Sequence, residues 1–399
     1  MAIIFRDGNV IVGTGELIEK GTVTVDGSVV TFVGPMKRIR PSKKDKVFDI
    51  SGKTILPGLI DAHVHLCLDG SPDPMTSISR DSTPGLTLKA AHQAFRTLEA
   101  GVTTVRDMGG RDYVDLAIRD GIESGLLQGP RMVCAGRLIC MTGGHGWQIG
   151  RETSGIDGVR EAVREQLKMG VDFIKLIATG GILTKGVDPG ATQFTPDELR
   201  AGVEEARKAG RRTATHAQGT EGIKNSLRAG VNSIEHGIFL DDEAIELMSE
   251  MNAYLVPTLN APYQIIKGGV KKGVPRYAVE KSKSAMKYHF QSVRRAHKSK
   301  IPIAMGTDAG TPFNCHGDNS KEMELLVKAG MTPMEAIVAT TKTASEVLGL
   351  EKKIGVLEKG KLADLIVVDG NPLKDIRLLQ NKDKILAIMK GGCFYKNQL

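Results

Sequence analysis

The chain has 399 residues, 41% hydrophobic and 25% charged, so its composition is that of a globular protein able to bury a large core. This composition excludes a fibrous or a disordered protein. The opening MAIIFRDGNVIVGTGE lacks a basic segment followed by a long apolar run, and nowhere do roughly 18 apolar residues follow one another. We therefore expect neither secretion nor membrane spanning, and we predict a cytoplasmic protein.

The formal net charge of +8 raises the question of a nucleic-acid partner. Much of the excess lies between Lys267 and Lys300, where Glu280 is the only acidic residue. Because aromatic residues are only 4% of the chain and no nucleic-acid motif accompanies the charge, we interpret this segment as a solvated helix face. The alternative is a surface that attracts acidic substrates or partners. We expect no nucleic-acid partner, no membrane partner and a homo-oligomer.

The five cysteines are scattered, form no CxxC pair and outline no disulfide framework. We expect them to be reduced and mostly buried. They are Cys67, Cys134, Cys140, Cys315 and Cys393.

Residues 1–57 read as all-β, with alternating stretches such as IIFRDGNVIV and TVTVDGSVVTFVG that are broken by Asp-Gly turns. After Pro57, apolar strand-like runs alternate with helical stretches, among them TPDELRAGVEEARKAG with a Thr cap, Pro at the first helical position and an acidic first turn. The strand-like runs are LIDAHVHL, VTTVRD, RMVCAG, VDFIKLIATGG, RTATHA, NSIEHG, AYLVPTL and IPIAMGTDAG.

Such alternation predicts an α/β fold with buried parallel strands. Roughly eight units without a GxGxxG loop favour a (β/α)8 TIM barrel over an open sheet. We assign the barrel to residues 58–353, with TPMEAIVATTKTASEVLG as an extra helix after the last strand. From about Ile354 the chain is β-like again, so residues 1–57 and 354–399 are predicted to form a small composite β-sandwich domain.

His63 and His65 are two apart on a strand, so both side chains leave the same face, near the strand end where barrel enzymes build active sites. Taken alone, the pair is as typical of hydrogen-bonded core histidines as of a metal site. His216, His236 and Asp308 end other strands at corresponding places, although His236 alone reads as a helix-entry residue and Asp308 alone as a turn residue. Together these residues predict a site for zinc or a similar divalent metal.

DAHVHL, FIKLIATGG, ATHA, IEHG, GTDAGTPFN and the closing GVLEKGKLADLIVVDGNP resemble the amidohydrolase superfamily over essentially the whole chain. The similarity is to the imidazolonepropionase-related branch, with its Xaa-Pro dipeptidases (prolidases), carboxypeptidase-like enzymes and ochratoxin-hydrolysing amidases. The resemblance implies that His63 and His65 bind one metal and that His216 and His236 bind a second. It also implies that Asp308 ligates the first metal and shuttles the proton.

Lys175 lies inside a strand that should be buried, at the place where binuclear members of the superfamily carry a carbamylated lysine. Burial and neighbouring metal charge favour a neutral amine, the form that reacts with carbon dioxide. The resemblance thus implies two divalent metal ions, with Zn²⁺ preferred, bridged by Lys175 as N6-carboxylysine. The alternative is a lysine that extends from the barrel rim to solvent.

The resemblance further implies a metal-bridging hydroxide that attacks a polarised substrate carbonyl, so no serine or cysteine nucleophile is needed. Asp308 would be general base and then general acid. Cys67, near His65, has no base paired with it in the sequence, so we expect it to pack.

Substrate selection should come from loops. His145 in MTGGHGWQIG is our candidate for binding the substrate carbonyl or carboxylate, because a similar GGHG loop reaches the substrate in the prolidase-like branch. Phe239 stands where related sequences often have tyrosine, which puts strict dipeptidase activity in doubt. His316 in the loop 310–318 is a further candidate for substrate contact. Surface-loop or turn roles are the alternatives for His145 and His316.

The leading hypothesis is a binuclear hydrolase that cleaves the amide bond of an Xaa-Pro or other dipeptide or of an N-acyl amino acid, including ochratoxin-like amides. The rival is a mononuclear cyclic-amide hydrolase or deaminase of the same superfamily, which does not need Lys175. A third reading, a non-catalytic assembly protein, requires lost metal ligands, whereas this sequence retains the whole set.

Overall fold

The computed structural model describes residues 1–35 and 41–399, so residues 36–40 of the predicted N-terminal β segment lie outside the described part. The strands up to the first helix are β1 (Ile3–Ile11), β2 (Leu17–Asp26), β3 (Val29–Pro35), β4 (Lys46–Asp49), β5 (Thr54–Pro57) and β6 (Leu59–Val64). The later strands are β7 (Val102–Asp107), β8 (Arg131–Cys134), β9 (Leu138–Met141), β10 (Gly150–Thr153), β11 (Phe173–Ile177), β12 (Arg212–Ala217), β13 (Ser233–His236), β14 (Tyr254–Val256), β15 (Leu365–Val368), β16 (Ile385–Lys390) and β17 (Cys393–Asn397).

The α-helices of the described part begin after β6. They are α1 (Pro74–Arg80), α2 (Thr83–Glu99), α3 (Val114–Glu123), α4 (Ile156–Met169), α5 (Pro196–Lys208), α6 (Thr220–Ala229), α7 (Asp242–Glu250), α8 (Asn260–Gly268), α9 (Arg276–Lys298), α10 (Lys321–Lys328), α11 (Pro333–Ala339) and α12 (Lys342–Leu348). Short 3-10 helices span Arg111–Tyr113, Val270–Lys272, Ile376–Gln380 and Lys382–Lys384. Among the described helices, none has both the length and the apolar character that a membrane crossing requires.

Both ends of the chain contribute strands to one sheet. Its order in the described part is β17-β16-β15-β5-β1-β2-β3, and β4 pairs with β1 beside this path. The junction is the antiparallel pair of β5 and β15, in which Ile55 is opposite Val367. Apolar side chains from both ends, including Phe5, Val23 and Met389, pack with Ile55 on one face.

The strands between these ends are parallel and form two further sheets, as the alternation of apolar runs and helices predicts. One has the order β6-β7-β8 and the other β10-β9-β11-β12-β13-β14. The Asp172 amide donates to the Cys134 carbonyl at 2.9 Å between them. On the other side, Ile303 pairs in parallel with Leu255, and Ala309 pairs in parallel with Val64. The fold is therefore mixed α/β, and residues 303–309 link the outer strands of the two parallel sheets.

The local signals in the sequence place the start of α5 correctly. At α5, the Thr195 hydroxyl accepts from the Glu198 amide at 3.3 Å while the Glu198 carboxylate accepts from the Thr195 amide at 2.8 Å, which is a complete capping box. The basic segment folds largely as the helix α9, with Lys283 and Lys287 exposed.

Two local expectations were wrong, and two strands were not anticipated. Asp7-Gly8 is not a turn. Strand β1 continues through it, with Asp7 at a φ of 64° and a shift in register at Gly8. Asp26-Gly27, by contrast, does connect β2 to β3. The stretch predicted as one extra helix is two, α11 and α12, because the Thr340 carbonyl bonds the Ile60 amide of β6 at 2.8 Å. The loop that carries His145 is flanked by two parallel strands, β9 and β10, which the sequence did not indicate.

We expect Ile55→Ala to lower the free energy of unfolding by about 2–5 kcal/mol, because it opens a cavity where strands of both chain ends meet. Ile55 is fully buried, whereas Val47 on β4 is 38% exposed and provides a matched control. Val47→Ala should change stability by less than about 0.5 kcal/mol. Urea unfolding followed by circular dichroism measures both, and equal losses would contradict this view of the core.

Candidate active site

Parallel strands bring their carboxyl ends to one edge, and the six candidate ligands lie along that edge. His63 is on β6, Lys175 on β11, His216 on β12 and His236 on β13. The register places Ala214 opposite Lys175 and Ala217 opposite His236. His65 follows β6, and Asp308 follows Ile303 in the linking segment. All six line one cavity of about 680 Å³, including its open mouth.

His63, His65 and Asp308 are close enough to share one metal. Their ligand atoms lie within 4.8 Å of one another. Asp308 Oδ1 is 3.4 Å from Nε2 of His63 and 3.6 Å from Nε2 of His65. These three residues are therefore brought together as the sequence predicts.

The remaining histidines continue this cluster as a row of rings. Ring centroids are 5.1 Å apart for His63 and His236, 4.4 Å for His236 and His216, and 4.2 Å for His216 and His145. The structure therefore brings His145, from the loop between β9 and β10, into the same cavity as the predicted ligands.

Each of the four predicted ligand histidines makes a polar contact through one ring nitrogen, which leaves the other for a metal. Nδ1 of His65 contacts the Gly109 carbonyl at 2.8 Å, and Nε2 of His216 contacts the Gly180 carbonyl at 3.1 Å. Nδ1 of His236 contacts the Thr258 hydroxyl at 2.7 Å, and Nδ1 of His63 contacts the Glu235 carboxylate at 2.8 Å.

Burial keeps four of the imidazoles in the cavity neutral. It lowers the pKa of His65 and of His145 to about 4, and it lowers the pKa of His216 and His236 well below the ordinary value. For Asp308, burial raises the pKa, but the hydrogen bond and charge of His63 outweigh this and leave the pKa below its usual range. At neutral pH the cavity therefore presents imidazole lone pairs and one carboxylate, which suits a divalent cation.

Lys175 is 2% exposed, and its Nζ makes no hydrogen bond to any residue in the described ranges. Burial lowers the pKa of this amine to about 8; Glu235 opposes the shift and Arg106 adds to it. An orphaned buried amine is unfavourable unless a further group occupies the space beside it. The residues present thus fit a metal centre to which Lys175 contributes.

Two of the candidate ligands have strained backbones. His236 has a φ of 73° and Asp308 a φ of 58°, in the left-handed region that residues other than glycine rarely adopt. The Asp308 amide is held by the His63 carbonyl at 2.7 Å. Strain of this kind concentrates at functional sites, where the surrounding structure overrides the local preference.

Sequence reasoning missed a buried ion pair next to the cluster. Arg106 donates to the Glu235 carboxylate at 2.9 Å, to the Ser233 hydroxyl at 3.1 Å and to the Ala62 carbonyl at 2.7 Å. Burial raises the pKa of Glu235, but the Arg106 charge and the His63 contact bring it down to about 2. Glu235 therefore stays charged and fixes the ring of His63. The signal that the sequence offered for Glu235 was its place in the IEHG motif, directly before His236.

Two further polar residues of the cavity wall were also missed. Gln218, next to the ATHA motif, is 4% exposed, and its Oε1 has no hydrogen-bond partner among the described residues. His289 lies on the basic helix α9 and is fully buried, and its Nε2 contacts the His236 carbonyl at 3.0 Å. The rest of the wall is largely apolar and includes Ile149, Ile182, Leu183, Ile238 and Ile265.

The structure does not bring Phe239 or His316 to the cavity wall. The ring of Phe239 packs against Tyr288, with 5.5 Å between centroids, because the neighbouring Ile238 faces the cavity instead. Nε2 of His316 contacts the carbonyls of His65 and Leu68 at 3.1 Å, so it supports the turn after β6.

Of the cysteines, Cys67, Cys134 and Cys140 are buried, Cys315 is partly buried and Cys393 is exposed, and all five are free. Burial raises the pKa of the Cys67 thiol well above its usual value. This fits a packing role.

A family model described as "Amidohydrolase family" matches residues 54–393, so the chain belongs to the amidohydrolase family. It is a hydrolase that acts on carbon–nitrogen bonds. Ochratoxinase from Aspergillus niger is 29% identical over 98% of this chain and 86% of its own length. Imidazolonepropionase from Geobacillus kaustophilus is 23% identical over 94% of this chain and 90% of its own length.

Among solved structures, a Xaa-Pro dipeptidase with methionine bound in its active site is 34% identical. The similarity covers 100% of both chains, with a TM-score of 0.91. These relatives confirm the family resemblance that the motifs indicate.

We expect Arg106→Met to lower the free energy of unfolding by about 3–5 kcal/mol, because it leaves the Glu235 carboxylate buried without its cation. Adding Glu235→Gln should recover part of that loss, and a double-mutant cycle by urea unfolding measures the coupling. The exposed pair of Arg200 and Asp197 has the same N–O distance of 2.9 Å and serves as control. Arg200→Met should leave stability unchanged. Additive effects of the two buried substitutions would contradict a coupled pair.

Proposed function

We propose that this chain is a binuclear metal-dependent amidohydrolase. Its substrate would be an Xaa-Pro or other dipeptide or an N-acyl amino acid, including ochratoxin-like amides. The relatives named ochratoxinase and Xaa-Pro dipeptidase support this substrate range.

The observation that carries the proposal is the orphaned, buried amine of Lys175 in the wall of a cavity with four histidines and Asp308. Its lowered pKa makes the neutral amine accessible near neutral pH, and the neutral amine adds to carbon dioxide to give a carbamate and one proton. The resulting N6-carboxylysine has two oxygens and a negative charge, which suits it to bridge two cations.

In this proposal His63, His65 and Asp308 would hold one metal, His216 and His236 would hold the other, and the carbamate of Lys175 would contribute to both. Zn²⁺ is our first choice, and the ligands also suit manganese or cobalt. When bound, two such metals activate water and polarise a carbonyl. The Asp308 carboxylate takes the proton of the attacking water and delivers it to the leaving amine.

His145 is proposed to bind the substrate carbonyl or carboxylate. It lines the cavity beside His216, and burial keeps it neutral. Its Nδ1 is engaged by the Thr184 hydroxyl at 2.6 Å, so Nε2 is the nitrogen left for a substrate. The apolar wall favours a substrate with apolar groups beside the scissile bond.

We also propose that the two parallel sheets are parts of one (β/α)8 barrel spanning residues 58–353. The links through Ile303 and Ala309 support closure between β14 and β6. The sheet built from both chain ends supports a composite domain of residues 1–57 and 354–399, for which a sandwich stays a prediction. The cytoplasmic location, the homo-oligomer and the absence of a nucleic-acid partner also stay predictions.

Metal analysis separates the binuclear proposal from its mononuclear rival. After metal-replete purification we expect about two metal ions per chain by plasma mass spectrometry. One ion per chain would favour a cyclic-amide hydrolase or deaminase. A library of dipeptides and N-acyl amino acids, screened with the metal-loaded protein, then identifies the substrate.

Lys175→Ala should lose most of the metal and most of the activity, because the bridging group is gone. Small carboxylates such as acetate should partly restore both. Lys168→Ala, which changes an exposed lysine on α4, is the control and should behave as wild type. A Lys175→Ala protein with two metals and full turnover would exclude the carbamate bridge, and intact-mass analysis of the wild type tests for the added carbon dioxide.

His145→Ala should raise the KM of the best library substrate about tenfold or more and leave metal content unchanged, because a buried hydrogen bond to substrate is lost. Steady-state kinetics and metal analysis on the same preparation measure both quantities. If the kinetics stay unaltered on every cleaved substrate, His145 does not contact the substrate.

A further inference from the structure

The segment 181–187, which follows β11, is fastened to the basic helix α9 chiefly by the side chain of Lys281. Nζ of Lys281 donates to the Gly181 carbonyl at 3.2 Å and to the carbonyls of Thr184 and Val187 at 2.5 Å each. Within this segment Ile182 and Leu183 line the cavity. The basic helix therefore has an inner face that contacts the wall of the candidate active site.

The chemistry of this contact calls for an ammonium group. Three carbonyl oxygens converge, each an acceptor only, and an ammonium supplies three N–H donors and no acceptor. A glutamine at the same position would supply two donors and a methionine none. An arginine has more donors, but they are fixed in a planar fork, whereas the three carbonyl oxygens converge on one point.

A second side chain on the same face of α9, that of Tyr277, also holds the segment 181–187. Tyr277 precedes Lys281 by four residues, so the two side chains are neighbours on the helix surface. The Tyr277 hydroxyl donates to the Leu183 carbonyl at 3.1 Å, and its ring centroid lies 5.6 Å from Nζ of Lys281. Lys283 and Lys287 are exposed, so they belong to the solvated side of the helix.

The fastened segment reaches the proposed substrate-binding histidine. The Thr184 side chain is 2.6 Å from Nδ1 of His145, while the Thr184 carbonyl accepts from Lys281. The Gln193 side chain accepts from the His145 amide at 3.0 Å. The orientation of the His145 ring thus depends on where the segment holds Thr184.

We propose that Lys281 is a positioning residue that holds the segment 181–187 so that Thr184 orients His145 and Ile182 and Leu183 complete the cavity wall. This inference rests on the proposed function where it concerns the role of His145 toward substrate. The fastening of the segment itself does not depend on metal or on turnover. The two parts are therefore measured separately.

The first measurement is limited trypsin digestion of Lys281→Met, with cleavage after the exposed Lys185 followed by mass spectrometry. We expect this cleavage to accelerate about tenfold, because the three carbonyl contacts are lost. Modification of His145 by diethylpyrocarbonate should accelerate in the same variant. Lys283→Met and Lys287→Met are the matched controls and should digest and react as wild type. Equal rates in Lys281→Met and wild type would overturn the inference.

The second measurement is kinetic. Lys281→Met should raise the KM of the best library substrate about tenfold, with metal content unchanged and kcat changed less. An unchanged KM in an active enzyme would overturn the role in orienting His145. A wild-type protein without metal or activity would overturn the proposed function instead, and digestion and His145 modification would still decide the inference.

Chemical rescue separates lost N–H donors from lost packing. In Lys281→Ala, added n-propylammonium should slow cleavage after Lys185 toward the wild-type rate, whereas tetramethylammonium, which has no N–H donor, should not. Equal effects of the two cations would overturn the hydrogen-bonding role. Where Lys281→Met or Lys281→Ala fails to fold, Tyr277→Phe removes only the hydroxyl on Leu183 and should give a smaller change in the same direction.

Discussion

The buried carboxylate of Glu235 joins three strands and the candidate metal centre. It accepts from Arg106 of β7, lies on β13 itself and contacts His63 of β6. A charge at this depth is stable only while its partners stay in place, so the pair fixes the relative positions of these strands as well as one ring of the cluster. The rest of the cavity is built around that fixed ring: the row of imidazoles continues from His63 to His236 and His216.

Desolvation favours the neutral form of two kinds of basic group in this cavity. It keeps His65, His216 and His236 neutral, which is the state that binds a metal, and it deprives Lys175 of the water that would stabilise an ammonium. Glu235 and Asp308 remain charged because cations or hydrogen-bond donors face them. The same burial therefore prepares both the neutral donors and the reactive amine.

The candidate ligands could be predicted because parallel strands end at one edge and their side chains alternate with a period of two. A recognisable apolar run precedes each of five candidate ligands: His63, His65, His216, His236 and Asp308. Their places in the sequence pattern therefore agree with their positions in the structure. Glu235 and Arg106 could not be paired in advance, because they are 129 residues apart in the chain and each reads as an ordinary polar residue at a strand end. The roles of Gln218 and His289 likewise depend on tertiary packing.

Local rules failed where a long-range contact overrides them. The sequence pattern predicts one helix through Thr340, but the helix is interrupted there because the Thr340 carbonyl accepts from the Ile60 amide of β6. Asp7-Gly8 forms a bulge because β1 pairs with neighbouring strands along both of its edges. Phe239 was a candidate because related sequences often have tyrosine at this position, and His316 was a candidate because it lies in the loop that follows Asp308. A strand end turns its neighbouring side chains in different directions, so proximity in sequence did not put either ring in the cavity wall.

The sheet shared by both chain ends also affects how the protein is made. During synthesis β5 leaves the ribosome long before its partner β15, because the barrel strands and helices lie between them in the chain. Until β15 has emerged, β5 and the apolar face around Ile55 lack this partner, and an unpaired strand edge of this kind can pair with other chains. The nascent chain is therefore exposed to aggregation while this long intervening segment is made.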